Sequence, residues 1–145
     1  MTFNSKSKLN FRKLKISDYK EFSKLFYSCF KKKVSFDFYK WRYFSNKHSF
    51  CYGVFNFSKL IANVGIISLN INKTKSRKIV SRHSSMVLKN YRGQGIFSNL
   101  LRRVKKKFLK DVCFIIMWPN KNNYSNFDID KKYIIEKKFY LYKTF

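Results

Sequence analysis

From Met86 to Leu101 the chain reads Met-Val-Leu-Lys-Asn-Tyr-Arg-Gly-Gln-Gly-Ile-Phe-Ser-Asn-Leu-Leu, an extended apolar run that turns through two glycines into a helix-forming stretch. No other segment restricts the fold as tightly. A strand must stop, turn and start a helix over a few residues, and Gly93 and Gly95, two of only four glycines in the chain, give the backbone the freedom to do so. With no Cβ in the way, successive N–H groups converge on an anion at the helix start, where the helix dipole adds attraction.

The hexapeptide Asn90-Tyr91-Arg92-Gly93-Gln94-Gly95 resembles the acyl-coenzyme A binding loop of the GNAT acetyltransferase superfamily, whose pattern is Gln/Arg-x-x-Gly-x-Gly/Ala. Arg92, Gly93, Gly95 and Ile96 match the commonest form of the loop, and Leu100 and Leu101 match the helix behind it. Asn90 departs from the family's Gln or Arg, which removes one side-chain contact and leaves the backbone contacts. The resemblance implies an α/β fold with a mixed, mostly antiparallel central sheet and about four flanking helices. A last strand-like run, Ile134 to Tyr142, ends abruptly, so the expectation includes a sheet short of the family's final strand.

The segments fall in the order that the resemblance requires. Leu9 to Ile16 reads as a first strand, and Ser17-Asp18 opens a helix with Phe22, Leu25, Phe26, Cys29 and Phe30 at helical spacing. Ser35 caps a second helix, Phe36 to Phe44, with Phe38 and Trp41 at three-residue spacing on one side. Phe50 to Phe57 and Leu60 to Leu69 read as a hairpin around Ser58-Lys59, and Gly65 within the second strand marks a bulge or a close backbone approach. Lys78 to Leu88 is a further strand. Ile96, Leu100, Leu101, Val104 and Phe108 line one face of the next helix, opposite Arg102, Arg103 and Lys105 to Lys107. Val112 to Trp118 reads as a fully buried strand.

By resemblance, the chain takes acetyl-coenzyme A as co-substrate. Met86, Val87 and Leu88 supply main-chain contacts to its pantetheine arm, which Asn120 or Asn123 also bonds, and Arg92, Gly93, Gln94, Gly95, Ile96 and Phe97 hold the pyrophosphate. Tyr124 stands where many relatives place the acid that protonates the departing thiolate. The first two helices wall the acceptor site in the family, which brings in Asp37, Tyr39, Trp41 and Arg42, although such aromatics equally serve as core. Period-two alternation puts Ser81, His83, Ser85 and Val87 on one strand face, and His83 there is the candidate proton acceptor for the amine. The segments Tyr39 to Tyr43 and Pro119 to Asn122 resemble those of relatives that modify sugar amines and cell-surface polysaccharides.

Composition narrows the alternatives. A length of 145 residues fits one domain, 1–145. Three cysteines without metal-ligand spacing read as free thiols in a reducing compartment, so the expectations are no metal and a cytoplasmic protein. The longest apolar run is too short to span a bilayer. Seven Asp and Glu offer no carboxylate pair for hydrolysis, and they leave a net charge of +26 against 33 Lys and Arg. Such a field repels polycationic acceptors and favours an anionic one, such as a nucleotide-linked amino sugar. The expected partner is a small-molecule amine bound by a monomer or homodimer. The alternative is a non-enzymatic basic protein that binds nucleic acid or another polyanion on the same scaffold.

Overall fold

The computed structural model describes residues 9–69, 78–110 and 112–117. In chain order its elements are β1 (Asn10–Lys13), α1 (Tyr19–Phe30), α2 (Phe36–Phe44), β2 (Phe50–Asn56), β3 (Lys59–Leu69), β4 (Lys78–Val87), α3 (Ile96–Phe108) and β5 (Val112–Met117). The strands form one sheet in the order β1-β2-β3-β4-β5. The first four pair antiparallel, and β5 runs parallel to β4 because α3 carries the chain back across the sheet.

Helices cover both faces. Phe22 and Leu25 of α1 and Tyr39 and Tyr43 of α2 pack against Cys51, Leu60 and Met86 on one side. Ile96, Leu100 and Val104 of α3 pack against Val54, Ile61, Val64 and Val80 on the other. This double cover explains why Leu60 to Ile66 are buried without alternation. Arg12 donates to both carboxylate oxygens of Asp18, at 2.6 and 2.8 Å, and so ties β1 to the start of α1. The guanidinium holds the Asp18 carboxyl below its ordinary range.

The close approach anticipated at Gly65 is made by Tyr43. A Cβ added at Gly65 would stand 2.6 Å from Cε1 of the tyrosine ring. The ring crosses the strand at this point, and its hydroxyl lies 2.6 Å from Ser84 Oγ on β4. At Ser84 the β3–β4 register shifts: Gly65 pairs with His83 and Asn63 with Met86, so Val64 alone faces both Ser84 and Ser85. Ser84 takes φ 46°, the left-handed region that costs a side-chain-bearing residue about 1–3 kcal/mol. Two contacts hold it there. Tyr43 reaches its hydroxyl, and the fully buried Asn63 donates Nδ2–H to its carbonyl at 3.1 Å.

Several sequence expectations change. The first strand ends at Lys13 because Leu14 turns into the core and Ile16 starts a 3-10 turn. The hairpin turns at Phe57-Ser58, where Phe57 has φ 52° and is exposed. In α2 the buried side is Tyr39 and Tyr43, four residues apart, and Phe38 and Trp41 face outward. β5 is not fully buried, since it ends the described sheet and Ile115 is 38% exposed. Among the described residues the helices number three, and the last strand-like run lies outside them.

Substituting Gly65→Ala drives a methyl group into the Tyr43 ring. Urea denaturation is expected to show a loss of about 1–3 kcal/mol, with much of it recovered in the Gly65→Ala/Tyr43→Leu double variant; additive losses in the double variant would contradict the packing described.

Candidate active site

The bulge decides which side chains of β4 share a face. Before it, Ser81 and His83 point toward α2, and alternation alone would add Ser85 and Val87. The extra residue at Ser84 resets the parity. Met86 joins the α1–α2 core, whereas Val87 packs on the α3 side and Ser85 is exposed. Of the four residues expected on one face, the structure keeps Ser81 and His83 together, sends Val87 to the α3 side and leaves Ser85 exposed.

Beyond Arg82 the outer edge of β4 has no strand partner among the described residues. Pairing with β5 runs from Lys78 to Arg82, and among the described residues it stops at Arg82↔Met117. Leu88 N–H bonds Ile61 O at 2.9 Å on the β3 side. Successive backbone groups point to opposite edges, so the amide groups of Val87 face the edge along which β5 pairs earlier in the strand. Two donors already reach the Val87 carbonyl: Arg92 Nε at 3.1 Å and Cys29 Sγ at 3.6 Å. Burial raises the Cys29 pKa, against the opposing pull of Arg92, so this thiol is not poised as a nucleophile.

A 3-10 turn at Lys89–Tyr91 and exposed Arg92 lead into the glycine loop. Gly93 and Gly95 have φ 74° and 69°, and no atom lies within 4 Å of where a Cβ on either would stand. Gly95 is the N-cap of α3, and no side chain caps it. The first-turn amides of Ile96 and Phe97 therefore lack a side-chain acceptor at the positive end of the helix dipole. Gln94 Nε2 donates to Asn90 O at 2.9 Å and braces the loop. Backbone donors at a helix start of this kind have the chemistry to take an anion.

On the α2 side, Arg42 Nη2 lies 2.8 Å from His83 Nδ1, and Ser81 Oγ lies 2.6 Å from Nε2. A guanidinium only donates, so Nδ1 accepts, and the neutral imidazole carries its proton on Nε2 and donates it to Ser81. Burial, then the Arg42 charge, lowers the His83 pKa below its ordinary 6.5. Outside this pair, Trp41 is 63% exposed beside Phe38, with ring centroids 5.9 Å apart. Trp41 and Arg42 border an open cavity of about 260 Å³ with Ser45, Asn46, Ser49 and Ile67.

Other expected site residues fall apart from this arrangement. Tyr39 is fully buried and donates its hydroxyl to Lys15 O at 2.8 Å, so it is a core residue and not an acceptor contact. Asp37 is exposed in the first turn of α2. Asn120, Asn123 and Tyr124 lie outside the described residues. No group of three His, Cys, Asp or Glu among the described residues is arranged to hold a metal, and no described helix is long and apolar enough to cross a membrane. Sequence reasoning missed Tyr43 and Asn63. An amide within the apolar run Leu60 to Ile67 was the signal for Asn63.

A profile described as Acetyltransferase (GNAT) domain matches residues 10–130. No curated protein matches by sequence. Solved structures with the same fold include an aminoglycoside acetyltransferase from an uncultured soil metagenomic sample in complex with sisomicin, at TM-score 0.73 and 14% identity over 94% of this chain and 96% of that one. Glucosamine-6-phosphate N-acetyltransferase from Arabidopsis thaliana aligns at TM-score 0.67 and 16% identity, over 91% of this chain and 98% of that one. An aminoglycoside N-acetyltransferase in complex with CoA aligns at TM-score 0.73 and 12% identity, over 99% of each chain.

The geometry sets a pH dependence for His83. Its native pKa lies below the unfolded value of 6.5, so between the two values the unfolded chain binds more protons. His83 thus leaves stability intact above that window and subtracts from it as pH falls through it. NMR titration is expected to place His83 below 6.5 in the native protein and higher in Arg42→Gln; a native value above 6.5, or none of this rise, contradicts the contact.

Proposed function

Because this chain belongs to the acetyltransferase (GNAT) family, we propose that it is an N-acetyltransferase acting from acetyl-CoA on a primary amine of a small, sugar-linked acceptor. The observation that carries this reading is the placement of the α3 N-terminus, without a side-chain cap among the described residues, next along the chain from the β4 edge that no described strand pairs after Arg82. The family and the solved structures of sugar-amine and aminoglycoside acetyltransferases support the reaction class.

Each part of the site has a task in that reaction. The backbone of Gly93 to Phe97 takes the pyrophosphate of the donor, helped by the helix dipole and the exposed Arg92. The stretch Met86 to Leu88 is assigned to the pantetheine arm through Val87, whose main-chain groups face away from β3 while those of Met86 and Leu88 face toward it, and Arg92 fixes the Val87 carbonyl in place. The donor supplies an acetyl thioester, which reacts as an amide bond forms and the C–S bond breaks. The acceptor amine must first lose a proton, because an ammonium has no lone pair with which to attack. His83 is the group we assign to receive it, directly or through water. Its basic atom is Nδ1, which faces the Arg42 guanidinium, so the proton reaches it as that bond exchanges. The depressed pKa keeps the imidazole neutral, and so ready to accept, at neutral pH. Tyr124 is proposed as the acid that returns a proton to the leaving thiolate.

Calorimetric titration with acetyl-CoA, with inorganic polyphosphate as a control for charge, tests the donor site. Saturable binding that persists as salt is raised and exceeds the control is expected. Gly95→Val places a β-branched residue at φ 69° and is expected to weaken acetyl-CoA binding at least about 10-fold with the circular dichroism spectrum unchanged. Binding that disappears with salt as the control does would overturn the reading.

A further inference from the structure

The cavity beside Trp41 differs from the glycine loop in construction. Among the described residues its lining contains one charged side chain, Arg42, and no carboxylate. Its neutral polar groups are turned so that donors remain. Asn46 uses Oδ1 to accept from His48 N–H at 2.9 Å, which leaves its amide hydrogens to offer. Ser49 Oγ accepts from Ser68 N–H at 3.1 Å, which leaves its hydroxyl hydrogen. Backbone amides of the same turn and strand thus occupy one lone pair of each of these oxygens and orient the groups, so that a guanidinium, an amide NH₂ and hydroxyl hydrogens remain to donate to a ligand. The Trp41 indole stands largely exposed at the rim, where its face is open to a ring.

We propose that this cavity is a phosphate subsite for the acceptor: Arg42, Asn46 and Ser49 bind a sugar-phosphate oxyanion, and Trp41 covers the sugar ring. A wall with a fixed cation, available donors and no carboxylate among its described residues favours a ligand that brings acceptors, and a charged one gains most, since hydrogen bonds to an ionised group are about twice as strong as neutral ones. An aminoglycoside-like polycation meets the opposite: a fixed positive charge with no carboxylate beside it in the lining. The subsite adjoins the reaction centre because Arg42 also bonds His83. As an acceptor site it rests on the acetyl-transfer reading above, whereas its preference for phosphate does not.

Calorimetry with glucosamine 1-phosphate and with glucosamine, in the absence of CoA, separates the two claims. The phosphorylated sugar is expected to bind at least about 10-fold more tightly to the wild type. That preference is expected to vanish in Arg42→Gln, to return in part in Arg42→Lys, and to vanish in Asn46→Asp, which keeps the side-chain shape and the bond from His48 N–H while putting a negative charge in the wall. It should persist in Gly95→Val, where the loop is blocked. No preference in the wild type, or a preference lost in Gly95→Val and kept in Asn46→Asp, would overturn the proposal. A thiol-release assay with both sugars and acetyl-CoA then reports on catalysis: phosphate-selective binding without acetyl transfer sinks the enzyme reading alone, and transfer without phosphate preference sinks the subsite alone.

Discussion

Ser84 is the residue on which the geometry of the site turns. Its left-handed backbone is unfavourable for a residue with a side chain, and it persists because Tyr43 and Asn63 grip it from the side chain and the carbonyl. Those grips need further concessions. Gly65 has no Cβ, which lets the Tyr43 ring cross β3, and Asn63 is an amide placed in an otherwise apolar, fully buried stretch of strand. The same amide leaves its buried Oδ1 without a hydrogen-bond partner among the described residues. An unsatisfied buried oxygen costs about 1–3 kcal/mol, a cost that a strand built for stability alone would not carry. We read it as the cost of holding β4 in the bulged register.

The bulge has two effects. It changes the parity of β4, so that His83 and Met86 lie on the α2 side and Val87 on the other. It also precedes the stretch of β4 that no described strand pairs on its outer edge, where the Val87 backbone faces away from β3 beside the α3 N-terminus. The cation-rich face of α3 is a separate matter. Arg103 stacks on Phe11 and Lys13 on Phe50 and Phe108, which uses aliphatic and aromatic surface to seat charges on the sheet edge. Burial, and then repulsion from Lys107, lowers the Lys13 pKa, the mark of like charges crowded on one face.

Much of the architecture could be read from the chain. The α2 cap at Ser35, the bounds of α3 from Ile96 to Phe108, and the glycine loop between strand and helix follow from local chemistry: a hydroxyl accepting from Phe38 N–H, an amphipathic spacing, and two residues at positive φ. The faces were harder to read. Alternation along β4 fails at Ser84 because a bulge depends on partners distant in sequence, here Tyr43 and Asn63, and no local pattern announces it. The aromatics of α2 were equally ambiguous. Phe38, Tyr39, Trp41 and Tyr43 all have the size to fill a core, and the sheet below accepts the pair four residues apart because Gly65 makes room for Tyr43. The resemblance names Arg42 for the acceptor wall, but its bond to His83 joins residues 41 apart in sequence and no local pattern announces it.

The central claim is that the strand edge at Val87 and the α3 N-terminus form one ligand site. Amide chemical-shift mapping of the isotopically labelled protein during titration with acetyl-CoA tests it most directly. Saturable shifts concentrated at Met86 to Leu88 and at Gly93 to Phe97, unchanged in pattern as salt is raised, are the predicted result. Shifts spread along Arg102 to Lys107 that fade with salt, with Val87 unmoved, would contradict it.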